Sequence, residues 1–198
     1  MELLNFKPLP PDYQGWNSPK QHWDESVTIF KDLIDQVKPK TIIEVGSWKG
    51  MSTIEMAKYT KAKIYCVDTW LGATEFYTMP PSKERDLMKL HGYPQVYYQF
   101  LSNIVHAGIA DQVEPMPMTS RMGAKLCPNA DLIYIDASHE YEDVLEDIRE
   151  YRKKLNPGGI IFGDDYGNME FRGVKRAVDE SGVAMIINNW FWVLKTNN

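Results

Sequence analysis

The sequence predicts an α/β fold: a doubly wound, mostly parallel seven-stranded sheet with a final antiparallel strand. Two observations carry this. From residue 41 onward, short apolar runs of strand length alternate with longer stretches of helical period, which is the pattern of a parallel sheet covered on both faces. The last two apolar runs, 183–187 and 191–195, lie too close together for the crossover helix that a parallel pair needs.

The elements follow in order. Residues 1–17 are rich in Pro and aromatics, as in Phe6-Lys7-Pro8-Leu9-Pro10-Pro11-Asp12-Tyr13, and read as an extended arm. Ser18-Pro19-Lys20-Gln21 places an N-cap, a Pro at N1 and a Gln at N3, a helix start. Val27, Phe30, Ile34 and Val37 form one face of that helix and Pro39 closes it. Thr41-Ile42-Ile43-Glu44-Val45 is the first strand, followed by a Gly-bearing loop and a helix over 52–59. A second strand over 63–67 is ended by Asp68. A helix over 94–107, with Gly108 at C′, precedes a third strand over 112–116 and a short helix over 121–126. The fourth strand covers 131–135. Over 140–155 a charged helix shows Val144, Ile148, Tyr151 and Leu155 as its apolar stripe, with its acidic residues as a solvated face. Asn156-Pro157-Gly158-Gly159 turns the chain into a fifth strand at 160–162, and a helix over 170–180 ends at Gly182.

A chain of 198 residues suits one domain over 1–198, with an arm and helix at 1–38 and a lid or cap insertion at 70–107, longer than an ordinary connection. The net charge of -5, with no dense Lys/Arg cluster, argues against a phosphate-backbone footprint, so nucleic acid is not an expected partner. No apolar stretch reaches the length of a membrane span and no signal peptide is visible. Cys66 and Cys127 have neither disulfide nor metal-ligand spacing and read as buried reduced thiols. A soluble cytoplasmic protein without a membrane partner is expected.

In such sheets ligands bind at the carboxyl ends of the strands. Gly46 and Gly50 follow the first strand and open a helix, where backbone can approach a ligand and free N–H groups face it. The spacing is Glu-x-Gly-x-x-x-Gly, not that of a pyrophosphate binder. Glu44 would repel a diphosphate and suits a cation, such as the ammonium of a methionine moiety. Asp68 stands where a carboxylate accepts from ribose hydroxyls, and Met118-Thr119-Ser120 can edge an adenine. A nucleoside ligand is therefore expected at Glu44, Gly46, Ser47, Gly50, Ser52, Asp68, Thr119 and Ser120.

Asp136 ends the fourth strand, and Asp164 with Asp165 ends the fifth. Neighbouring strands lie about 4.8 Å apart, so pairing of the two strands would let these carboxylates converge, and they would repel unless a cation lay between them. Oxygen ligation by Asp136, Asp164 and Asp165 favours Mg²⁺, with Mn²⁺ or Ca²⁺ as alternatives. The competing reading makes Asp164 and Asp165 turn caps. His139 follows Asp136 by three residues, and its ordinary pKa near 6.5 suits a general base. His22, His91 and His106 carry no motif.

In these residues the chain resembles the class I S-adenosylmethionine-dependent methyltransferases, from about residue 41 to its end. Glu44-Val45-Gly46-Ser47-Trp48-Lys49-Gly50 matches their first motif and Asp68 their second. Leu155-Asn156-Pro157-Gly158-Gly159-Ile160-Ile161-Phe162-Gly163-Asp164-Asp165 is similar to their segment around the fifth strand. The Gly-Asp-Asp ending and Ile135-Asp136-Ala137-Ser138-His139 are most similar to the small-molecule O-methyltransferases of macrocin and catechol type. The resemblance implies a Rossmann-like sheet, S-adenosyl-L-methionine as cofactor with Asp136 also contacting it, a divalent metal, and Asp136 with His139 as catalytic residues. It implies O-methylation of a small-molecule hydroxyl on a sugar, polyketide or phenol. Ser138 stands where some macrocin-type relatives carry another acid.

Trp70, Phe76, Tyr77, Met79, Tyr93, Tyr97 and Tyr98 crowd the insertion, where they can cover a ring or serve a cap or homo-oligomer contact. Tyr13 and Trp16 of the arm can close over the same opening, whereas Trp190, Phe191 and Trp192 read as core or interface. Two other function classes compete. An NAD-dependent oxidoreductase is opposed by the Glu44-x-Gly46 pattern and the lack of a Tyr-x-x-x-Lys pair. A non-catalytic nucleoside-binding module is opposed by the joint presence of Glu44, Asp68, Asp136, Asp164 and Asp165.

Overall fold

The structure is a computed structural model that describes residues 7–13, 20–72, 95–182 and 184–195. Its elements run α1 (Lys20–Val37), β1 (Thr41–Val45), α2 (Met51–Ala57), β2 (Lys63–Asp68), α3 (Gln95–His106), β3 (Val113–Pro117), α4 (Ser120–Leu126), β4 (Ala130–Ile135), α5 (Tyr141–Arg152), β5 (Leu155–Gly163), α6 (Arg172–Glu180), β6 (Ala184–Ile187) and β7 (Phe191–Lys195). The seven strands form one sheet in the order β3-β2-β1-β4-β5-β7-β6. The first five pair in parallel, and β7 runs antiparallel to both β5 and β6.

The period of two sorts the strand residues into two cores. Ile42, Ile64, Leu132, Tyr134, Phe162 and Val193 face α1, α2 and α3, where Phe30, Met56 and Phe100 are buried. Ile43, Val45, Val67, Ile133, Ile161 and Trp192 face α4, α5 and α6, where Ala124, Ile148, Tyr151 and Ala177 are buried. Both faces are thus covered, and the central strands must be apolar on both sides. The two cysteines are free and buried, and Phe191 and Trp192 lie in the core. No helix among the described residues is long and apolar enough to cross a membrane.

Four local expectations change. The charged helix stops at Arg152, and Leu155 begins β5. Ala130 pairs with Leu155 and Leu132 with Ile160, so 156–159 bulge out of the ladder at Gly158, φ 79°, because Pro157 cannot donate and Gly can take the left-handed turn. Asp147 leaves the solvated face of α5 and is only 6% exposed. Trp70, placed by sequence in the aromatic lid, is core: its ring lies 4.9 Å from that of Phe100 and 4.5 Å from that of Tyr97. The helix predicted over 94–107 is α3, whose Val96, Phe100 and Ile104 are also core. The helix start at Ser18-Pro19, Trp16, and Phe76, Tyr77, Met79, His91 and Tyr93 of the insertion lie outside the described residues, as does the side chain of His22. At the sheet edge β3 carries Pro115 and Pro117, which an edge strand tolerates because its outer side needs no donor.

Candidate active site

The strand order reverses between β1 and β4, and their carboxyl ends carry the two halves of the site. After β1 the chain turns sharply at Gly46, φ 91°. A Cβ at Gly46 would run into the carbonyl oxygen of Asp136 and lie 2.7 Å from the Ala137 Cα. This glycine is required by the neighbouring strand end, and its φ favours glycine as well. Gly50, φ 85°, is the N-cap of α2, and a Cβ there would press on the Phe100 ring at 3.0 Å.

Glu44 lies under this loop and is 0% exposed. Its carboxylate accepts from Ser47 Oγ at 2.6 Å, Ser52 Oγ at 2.5 Å, Thr53 Oγ1, and Cys66 Sγ at 3.4 Å. Burial pushes its pKa up, and the hydroxyl donors oppose that shift. Glu44 therefore organises Ser47 and Ser52 from below rather than presenting a bare charge at the surface. Asp68 does the same from the side. Its Oδ2 accepts the N–H groups of Ser47 at 3.0 Å and Trp48 at 2.8 Å, and its Oδ1 that of Trp70 at 2.6 Å. Burial raises the Asp68 pKa, against those backbone donors.

Trp48 and Trp70 both adopt left-handed backbone, φ 45° and 52°, which is costly for bulky residues and collects at functional sites. The Trp70 indole N–H donates to the Trp48 carbonyl at 2.7 Å, locking the two turns together. Sequence spacing gave no sign of this pair. The strand-end turn at Met118 lies beside Asp68, whose carbonyl accepts the Met118 N–H at 3.0 Å. Thr119 N-caps α4, its hydroxyl accepting from Met122 N–H at 3.3 Å. The Ser120 hydroxyl turns to Asp147 of α5. Both side chains are thus engaged in holding the turn that sequence placed at the adenine edge.

On the other side, Ile135 pairs with Gly163, so Asp136 and Asp164 follow adjacent strand ends as the spacing predicts. The structure gathers a different trio from the expected one. Asp136, His139 and Asp165 each offer one ligand atom, and these atoms all lie within 4.8 Å of one another. His139 Nε2 stands 3.1 Å from Asp165 Oδ2 and 3.9 Å from Asp136 Oδ1. Asp165 is left-handed, φ 63°, and this aims its carboxylate at His139. Asp164 is buried, and its Oδ1 accepts the Asp165 N–H at 2.6 Å, so it holds the turn rather than joining the trio. The His139 ring stacks on Phe171 at 3.9 Å and 8°, and the Tyr134 hydroxyl donates to Asp136 at 3.0 Å. Below lies a cavity of ≈ 10 Å³ bordered by Asp136, His139, Asp164 and Trp192, room for about one water. A far larger groove, ≈ 850 Å³, runs between α1 and β6 past Ile29, Leu33 and Met185. It holds none of the strand-end carboxylates, so size does not mark the chemistry here.

Residues 43–166 match the family model described as a methyltransferase domain. The chain is 23% identical over 172 residues to an uncharacterised protein, y4gI, of Sinorhizobium fredii, covering 83% of this chain. It spans only 17% of that relative's length. Among solved structures it is similar to the O-methyltransferase NovP, with a TM-score of 0.63 and 19% identity over 90% of this chain and 80% of that one. An O-methyltransferase of Bacillus cereus, solved with S-adenosylhomocysteine, gives a TM-score of 0.61 and 17% identity over 94% and 84%.

Proposed function

We propose that this chain, which belongs to the methyltransferase domain family, is an S-adenosylmethionine-dependent methyltransferase that methylates a hydroxyl of a small molecule, with a divalent metal assisting. The observation that carries the acceptor half of this reading is the trio of Asp136, His139 and Asp165 at the strand ends beside the glycine loop. Acid, base and loop meet at the β1–β4 reversal, where Gly46 touches the Asp136 backbone.

S-adenosylmethionine supplies a methyl group on a sulfonium, which an oxygen displaces in line. The protein's contribution is mostly position. The loop 46–50, braced by Glu44 and Asp68, offers backbone to the methionine and ribose moieties. Asp136, Thr119 and Ser120 flank it, the last two through the turn they hold. Across the seam, His139 takes the proton of the acceptor hydroxyl as the carbon–oxygen bond forms and the carbon–sulfur bond breaks, giving a methyl ether and S-adenosylhomocysteine. Asp165, 3.1 Å away, stabilises the imidazolium that results.

The donor set also fits a divalent ion. The carboxylates of Asp136 and Asp165 offer hard oxygen ligation, with His139 kept as the base rather than a ligand, so Mg²⁺ is one candidate and Mn²⁺ another. Such an ion would be held by Asp136 and Asp165, with Asp164 holding the turn, and would lower the pKa of a bound hydroxyl. The two free, buried cysteines support the reducing, cytoplasmic setting that we propose for it. The domain is proposed to span 1–198.

The test is turnover of S-adenosylmethionine against a panel of sugars, polyketides and phenols, with and without EDTA. Methyl ether formation that falls on chelation and returns with Mg²⁺ or Mn²⁺ supports the reading. Activity indifferent to EDTA removes the metal. No methyl transfer to any hydroxyl, with transfer to a nitrogen or a protein instead, overturns the acceptor class.

A further inference from the structure

The N-terminal arm carries a recognition pattern that the sequence hides in plain view. Between Lys7 and Tyr13 three of the five intervening residues are proline, so Leu9 and Asp12 hold the only N–H groups between Pro8 and Asp12. Both are accepted by side chains of α3: Leu9 by Ser102 Oγ at 2.9 Å and Asp12 by Asn103 Oδ1 at 3.0 Å. The arm's carbonyls are met as well. Gln99 Nε2 donates to Pro10 O at 2.9 Å, Asn103 Nδ2 to Asp12 O at 2.7 Å, and His106 Nε2 lies 2.9 Å from Leu9 O.

Gln99, Ser102, Asn103 and His106 stand at i, i+3, i+4 and i+7, one stripe of a helix. Proline-rich chain has no internal hydrogen bonds and presents its backbone to a partner; here the partner is this stripe. Asn103 is 0% exposed, and its amide does a second thing. The same Nδ2 donates to the carbonyl of Lys49, in the glycine loop, at 2.8 Å. Lys49 is itself 5% exposed and pairs with the Asp12 carboxylate at 2.8 Å.

We propose that the arm is a strap and Asn103 a positioning residue, which together hold the 46–50 loop in its cofactor-binding shape, so that arm docking and cofactor binding favour each other. This rests on the cofactor reading above. Loss of the arm breaks the Asp12–Lys49 pair, and loss of the Asn103 amide frees the Lys49 carbonyl; in either case the loop backbone has more conformations to lose on binding. By linkage, the ligand must tighten the strap by the factor that the strap tightens the ligand.

The test pairs amide exchange at Leu9 and Asp12 with calorimetric affinity for S-adenosylhomocysteine, in wild type, N103L and D12N. D12N leaves the core untouched, so it keeps the test sound where N103L fails to fold. Expected in the variants are faster exchange at both arm amides, unchanged exchange in β4, and affinity reduced about tenfold, as for the net loss of one or two hydrogen bonds. In wild type the ligand should slow exchange at Leu9 and Asp12. Wild-type binding with variant affinity unaltered overturns the strap alone. Wild type that binds no S-adenosylhomocysteine overturns the cofactor reading and the coupling with it, while the exchange rates still report whether α3 holds the arm.

Discussion

Gly46 and Asp136 meet backbone to backbone at the seam between β1 and β4: the carbonyl of Asp136 occupies the place a Gly46 Cβ would need, and the Asp136 N–H donates to the Val45 carbonyl at 2.8 Å. The glycine loop after β1 and the turn that carries Asp136 after β4 are therefore set by one contact.

Gly46→Ala should be severe. It combines a left-handed φ of 91° with a collision against backbone, which cannot rotate away, so a loss of about 3–5 kcal/mol is expected. Chemical denaturation measures it. A variant within about 1 kcal/mol of wild type would show that the strand ends can part freely.

Asp147 gives the protein a built-in pH slope. Burial pushes its carboxyl up to about 7, helped by Asp143 and Glu146 and opposed by the Ser120 hydroxyl. A folded-state pKa above the ordinary 3.8 means that the folded chain holds this proton more tightly than the unfolded one. Stability from this group is thus full at low pH and is lost as pH rises through about 7. Asp147→Asn keeps an acceptor for Ser120 and cannot ionise. It should match wild type near pH 4 and exceed it by about 1–3 kcal/mol at pH 8. Denaturation at the two pH values decides; a difference that does not change with pH sinks the idea.

His139 and Asp165 can be separated by their variants. His139→Ala should lower kcat by about 10²–10⁴, the usual reach of a general base, with affinity for S-adenosylhomocysteine nearly unchanged. Asp165→Asn should fold normally, because Asn tolerates the left-handed φ of 63°, yet lose metal stimulation of turnover. Normal stimulation in Asp165→Asn would free that carboxylate from any metal role, and normal kcat in His139→Ala would dismiss the base.

Most strands were legible because they are bursts of Ile, Val or aromatic residues between polar turns; Thr41–Val45 and Phe191–Lys195 fall where the pattern puts them, whereas β3, Val-Glu-Pro-Met-Pro, is marked only by its place in the alternation. Period and spacing also located Asp68, Asp136 and Asp164 at strand ends, since strand register is fixed by a period of two. What the pattern could not reveal is which way a short side chain turns once there. The Ser120 hydroxyl went to Asp147 and Asp164 to its neighbour's N–H, choices made by local satisfaction of buried polar groups. His139 entered the carboxylate trio because Asp165 is left-handed, a backbone state that composition does not announce. The strap was readable in part: polar residues at Gln99, Ser102, Asn103 and His106 interrupt a helix otherwise rich in apolar residues, but only contact across some ninety residues of sequence, as between Asp12 and Asn103, gives that stripe its meaning.

The two prolines of β3 have a colloidal consequence. Pro115 and Pro117 withdraw donors from the outermost strand on that side, and an edge that cannot donate is a poor template for a foreign strand. At the concentrations of an enzyme preparation, growth of stacked sheets should not start from that end of the molecule; among the described strands, β6 is the other edge from which strand-to-strand association could begin.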